Sequence, residues 1–117
     1  MLTVLLLAIS LTNTAPAGCP AGPIGLVGCC REAPHLLSRY DVPYRAVAKR
    51  KRLKGVAIVE VIIEPHGSVC AARILKGLDP DFDRAALESV KSWRFRAAIS
   101  NRGQAITSVF NLTLKAP

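Results

Sequence analysis

Few residues of this chain are of the types that carry covalent, acid–base or metal chemistry. They are His35 and His66, the cysteines Cys19, Cys29, Cys30 and Cys70, and the carboxylates of Asp79-Pro80-Asp81-Phe82-Asp83. Neither histidine has a Ser, Cys or carboxylate at the spacing of a nucleophile–base pair, and His66 falls in a predicted turn. The acidic run opens like a calcium loop. Such a loop needs Gly at its sixth position and Glu at its twelfth, where this chain has Arg84 and Val90. The same residues suit a helix start, with Asp79 as cap, Pro80 at the first helical position, and Asp81 and Asp83 in a first turn that favours negative charge. No cysteine pair has C-x-x-C spacing, and the glycines form no phosphate loop. The expectation is a protein without catalysis, metal or cofactor.

The start of the chain gives the cysteines another meaning. "MLTVLLLAISL" is uncharged and apolar, and Ala15-Pro16-Ala17 behind it has the small-x-small form of a signal-peptidase site. The run is shorter than the roughly 20 residues of a membrane-spanning helix. Residues 1–17 therefore read as a signal peptide or a short membrane anchor, with acylation of Cys19 in "PAGC" as a third option. Export would place the cysteines in an oxidising compartment, where disulfides persist. Four cysteines allow three pairings. A bridge between adjacent residues strains the backbone, so Cys29 or Cys30 is expected to pair with Cys70, leaving Cys19 for the other.

The chain has 16 Lys+Arg against 8 Asp+Glu, a formal net charge of +8. Such a balance attracts anionic partners. Arg45, Lys49, Arg50, Lys51, Arg52 and Lys54 concentrate it, either as a patch for nucleic acid or anionic lipid or as a solvated helix face. An RNA-binding sheet carries several strand aromatics, whereas the strands predicted here offer only Phe110, so no nucleic acid is expected.

The elements that must position these residues follow from periodicity. At 117 residues there is room for one domain. Residues 18–38 form a Gly/Pro/Cys-rich linker, with 18–34 read as a linker or a disulfide-stapled arm, and residues 39–117 the domain. A short basic helix spans about 44–52, ended by Gly55. The β-branched run 56–64 is a strand with Ala57, Val59, Val61 and Ile63 on its core face. The turn at Gly67 and "VCAARILK" complete an antiparallel hairpin. Phe82, Ala86, Val90 and Trp93 make the apolar stripe of a second helix, with Lys91 and Arg94 offsetting its dipole. Trp93 is thus read as a core plug, and Phe95 as the start of the turn back. Alternation over 104–114 predicts a last, half-buried strand. The fold class expected is α+β, a three-stranded antiparallel sheet with two helices on one face, in the order α-β-β-α-β.

Gly55, the Glu-Pro-His-Gly turn ending at Gly67, Phe82-Asp83-x-x-Ala86 and Trp93-Arg94-Phe95 together resemble the C-terminal domain of the TonB energy-transducer family, over about residues 39–117. Where that family often has Tyr-Pro this chain has Tyr44-Arg45, and Ala97 replaces a Pro. The resemblance implies the same three-stranded, two-helix fold and a periplasmic module. Its partners would be outer-membrane TonB-dependent receptors, whose TonB box adds as a strand to the domain's last strand. The inner-membrane energising complex and a second copy are further partners it allows. On this chain the docking edge would be Gln104, Ile106, Ser108, Val109, Phe110, Asn111 and Leu112. The arm of some 20 residues is short beside the long spacer of full transducers, which favours a stand-alone or lipid-anchored binding domain. A reading of another class is a secreted, disulfide-stapled basic domain that binds polyanions or membrane surfaces.

Overall fold

Residues 56–63 are mostly Val and Ile, whose branched Cβ suits a pleated surface better than a helix, and they become the middle strand of the molecule. The computed structural model describes residues 18–22 and 24–116; the expected signal or anchor at 1–17 lies outside them. The described chain is α+β and runs β1 (His35–Ser38), α1 (Val42–Lys51), β2 (Gly55–Ile63), β3 (Val69–Lys76), α2 (Pro80–Lys91), β4 (Arg94–Arg96), β5 (Ala98–Ile99), β6 (Ala105–Ile106) and β7 (Ser108–Ala116). The main sheet is antiparallel in the order β3-β2-β7. The α-β-β-α-β order expected is therefore incomplete, because four short strands, β1, β4, β5 and β6, are interspersed in two further pairs.

Ala57, Val59, Val61 and Ile63 are fully buried along one face of β2, as period-2 alternation requires. Both helices cover that face. Tyr44, Val47 and Ala48 of α1 share one cluster with Phe82, Ala85, Ala86 and Val90 of α2 and with Leu112, Leu114 and Ala116 of β7. Asp79 caps α2, accepting from Asp81 N at 3.0 Å and Phe82 N at 3.1 Å. Lys51, at the end of α1, reaches Asp79 and Asp81 at 3.1 and 2.7 Å and ties one helix end to the other helix start. The Phe82 amide, then the Lys51 ammonium, hold Asp79 below the usual carboxylate range; Lys51 does the same for Asp81.

The last strand begins at Ser108, not at residue 104. Gly103, at φ +80°, donates to Ser100 O and closes a tight turn, and the Ser100 hydroxyl accepts from Arg102 N and Gln104 N. This turn pairs β5 with β6 as its own hairpin, so the chain changes sheets at Thr107.

The stripe of α2 likewise stops early. The helix ends at Lys91, and Trp93 and Arg94 lie beyond it, Arg94 in β4, so neither belongs to the helix as expected. Trp93 is still buried, because β4 runs between β1 on one side and Ser68 of the β2–β3 turn on the other. Gly67 is required there: its φ is +92°, Phe95 N donates to its carbonyl at 2.9 Å, and a Cβ would sit 2.0 Å from Phe95 O.

Candidate functional site

The main sheet has two outer strands, and they differ. Along β3 the register with β2 slips at Cys70 and again at Leu75, two bulges that spoil its outer ladder. β7 pairs with β2 at nine consecutive positions, Ser108↔Ile63 through Ala116↔Gly55, without a slip. β7 is therefore the regular edge, the one whose free N–H and C=O groups match an added strand.

Part of that edge is covered from within the chain. Gly25 N donates to Thr107 O at 2.9 Å and Val109 N donates to Gly25 O at 2.8 Å, a parallel bridge between Gly25 and Ser108. Since backbone groups alternate sides along a strand, Asn111, Thr113 and Lys115 also direct theirs outward, where no described strand lies. Their side chains are exposed, while Leu112, Leu114 and Ala116 point into the core. Beside Val109 a small apolar pocket opens, walled by Leu26, Val27, Cys29, Cys30 and Pro34.

Of the edge residues expected from sequence, Ser108, Val109, Phe110, Asn111 and Leu112 lie on β7. Phe110 and Leu112 turn their backbones to β2 and their side chains to the core cluster, so they support the edge from behind. Gln104 and Ile106 are corrected: they belong to the β5–β6 hairpin, not to the main sheet. Gly25, Thr107, Thr113 and Lys115 were missed. No local period marks Gly25, whose single bridge is followed at once by a turn in which Cys29 N donates to Leu26 O.

The arm at 18–38 is bonded to the domain at several points. Besides Gly25, Glu32 exchanges two backbone bonds with Ile99, and β1 pairs with β4. The disulfides are Cys19–Cys70 and Cys29–Cys30, which corrects the expected pairing. The reason lies in where the arm runs. Cys19 is held at β3, with its Cα 5.1 Å from that of Cys70, while Gly25 is bonded to β7. Cys19 is thus engaged at one edge of the sheet and Gly25 is bonded at the other, which leaves Cys29 and Cys30 with each other.

The basic run splits. Lys51 is engaged by Asp79 and Asp81, and Arg45 by Asp41 at 3.1 Å. Lys49, Arg50, Arg52 and Lys54 are exposed, and Arg45, Lys49, Arg52 and Lys54 rim a shallow depression floored by Ala48 and Leu53. Arg52 ends α1 in the left-handed region, at φ 54°.

The remaining residues singled out serve the frame. Trp93 Nε1 donates to Tyr40 O at 3.0 Å, and the Arg39 guanidinium lies 4.7 Å from its ring centre. Phe95 sits between Trp93 and Phe110, with ring centres 6.4 and 6.1 Å away. Phe82 meets Tyr44 edge-on, Ala86 is buried, Gly55 opens β2 at φ +118°, and the Arg94 guanidinium donates to Trp93 O. Among the described residues no group of three His, Cys, Asp or Glu side chains converges as metal ligands would, and no helix is long and apolar enough to cross a membrane.

Compared with models of known protein families, residues 41–115 match the one described as Gram-negative bacterial TonB protein C-terminal. The match runs from the start of α1 through nearly all of β7 and leaves the arm and β1 outside it. No curated protein matches the chain.

Proposed function

The chain belongs to the TonB C-terminal family, and on that premise we propose that its domain binds an extended segment of a partner protein along the free edge of β7. Such a domain is in general that of a periplasmic, membrane-associated protein that meets receptors through protein–protein contact. The partner proposed is the TonB-box segment of an outer-membrane TonB-dependent receptor, in the service of energy-coupled transport. The observation that carries the reading is the contrast between the two edges: β3 is bulged twice and β7 is regular. Backbone groups at Asn111, Thr113 and Lys115, and at Val109 once its bond to Gly25 O is given up, would supply most of the affinity, and exposed alternate side chains the selectivity.

The test is capture of the full oxidised chain on immobilised TonB-box peptides. Capture survives moderate salt in the native chain and is lost in Asn111→Pro, which removes one outward N–H and leaves the pairing with β2 intact. Equal capture by both chains sinks the reading.

A second reading has its own observation, the basic depression at Arg45, Lys49, Arg52 and Lys54. It would hold the domain against an anionic surface. Binding to vesicles rich in anionic lipid then falls steeply with salt and in Lys49→Gln/Lys54→Gln, and is indifferent to Asn111→Pro.

A further inference from the structure

The docking edge is already occupied at one point by this chain, through the isolated bridge at Gly25. Gly25 makes with Thr107 and Val109 the two backbone bonds that an incoming peptide would make there. The segment is held in place from two directions. The Cys19–Cys70 bridge fastens its upstream end to β3, on the far side of the sheet. Downstream, the bridged Cys29 and Cys30 pack on Gly25 so closely that a Cβ there would lie 2.6 Å from Cys29 Sγ, 3.1 Å from Ile106 Cδ1 and 3.3 Å from Cys30 Sγ. Yet its two downstream side chains bury little: Leu26 and Val27 remain 55% and 62% exposed, while Ile24 and Gly25 are half-buried. Its grip at the edge is backbone bonding, tether and the partial burial of Ile24 and Gly25, short of the full apolar burial that makes a strand permanent.

We infer that residues 24–27 are a built-in competitor for the β7 edge, which a partner's strand displaces, and that the Cys19–Cys70 bridge keeps this competitor at hand. The inference rests on the strand-addition reading of β7 and adds a closed and an open state of that edge. A tethered segment acts at an effective concentration of the order of mM, so the partner's apparent affinity is lowered by the fraction of open edge. With the bridge reduced, the arm is held only by its downstream pairing and the edge opens. Covalent control thus lies at a disulfide that touches no docking residue.

Two readouts on the full chain test this. The variant Gly25→Pro deletes the N–H bonded to Thr107 and adds the Cβ that Cys29 excludes. In it the Val109 amide exchanges with solvent at least about tenfold faster, while Phe110 and Leu112, paired with β2, keep their protection. The same variant binds an immobilised TonB-box peptide about tenfold more tightly than the native chain. The double variant Cys19→Ser/Cys70→Ser, which leaves the edge unaltered, moves both readouts the same way. An unchanged Val109 rate, or loss of protection throughout β7, overturns the inference. So does faster exchange at Val109 with unchanged peptide affinity, an outcome that leaves the strand-addition reading standing. Peptide binding by none of the chains counts against that reading instead, and the exchange rates then decide by themselves whether the arm is a separable strand.

Discussion

Individual residues here do structural work at positions where two demands meet. Trp93 fills the core and also delivers a hydrogen bond to Tyr40 O, with Arg39 stacked on its face. Trp93→Phe keeps most of the apolar volume and loses the donor, so urea unfolding should show a loss of about 1–3 kcal/mol with an unchanged slope. Gly67 faces a harder limit, since any side chain meets Phe95 O and the backbone sits at φ +92°. Gly67→Ala should cost at least about 2 kcal/mol and lower the thermal midpoint by several degrees. Arg52 is the reverse case. A left-handed residue with a side chain costs about 1 kcal/mol relative to glycine, so Arg52→Gly should raise stability by about that much while removing one cation of the basic depression.

At the scale of elements, the junction of α1 with α2 is ionic and responds to pH. Asp79 and Asp81 titrate below their ordinary value of 3.8 in the folded chain. Their contribution is complete above that value and disappears as pH falls through the lowered folded values. Lys51 is raised above its ordinary 10.5 by the same carboxylates, Asp81 first. Its contribution is complete below 10.5 and is lost as pH rises through the raised value. Denaturant midpoints should therefore be flat between these limits and fall on both sides, and Lys51→Met should flatten both falls. For β7 the two sides of one strand predict opposite outcomes. Asn111→Pro leaves the fold intact, whereas Phe110→Pro breaks the pairing with Val61 and should cost about 3 kcal/mol or more. Circular dichroism melts of the two variants check the contrast.

The whole molecule is closed by its arm. Cys19–Cys70 spans 51 residues, a loop whose constraint on the unfolded chain is worth about 4 kcal/mol on the chain-entropy model. Reduction should lower the urea midpoint accordingly, and in the open-edge scheme it also raises affinity for an added strand, so stability and binding move in opposite directions.

The sequence by itself determined the three main strands, the presence of both helices, the Asp79 cap of α2, the core face of β2 and the burial of Trp93; α1 ends at Lys51 with Arg52 as its left-handed cap, ahead of the Gly55 expected to end it. Each feature so determined is written in local spacing: period two in 56–63, Asp-Pro at a helix start, apolar residues three and four apart. It also carried the family, through Gly67, Phe82, Ala86 and the Trp93-Arg94-Phe95 run. The four short strands were not legible, since two- to four-residue pairings leave no period to read. Nor was the break at Thr107, where alternation runs on across a change of sheet. Only the tertiary structure decided the disulfide pairing, the choice of β7 over β3 as the regular edge, and the seat of Gly25 upon it. All three depend on which distant segments lie side by side, and the alternation of a strand records which face is buried while saying nothing of which neighbour covers its edge.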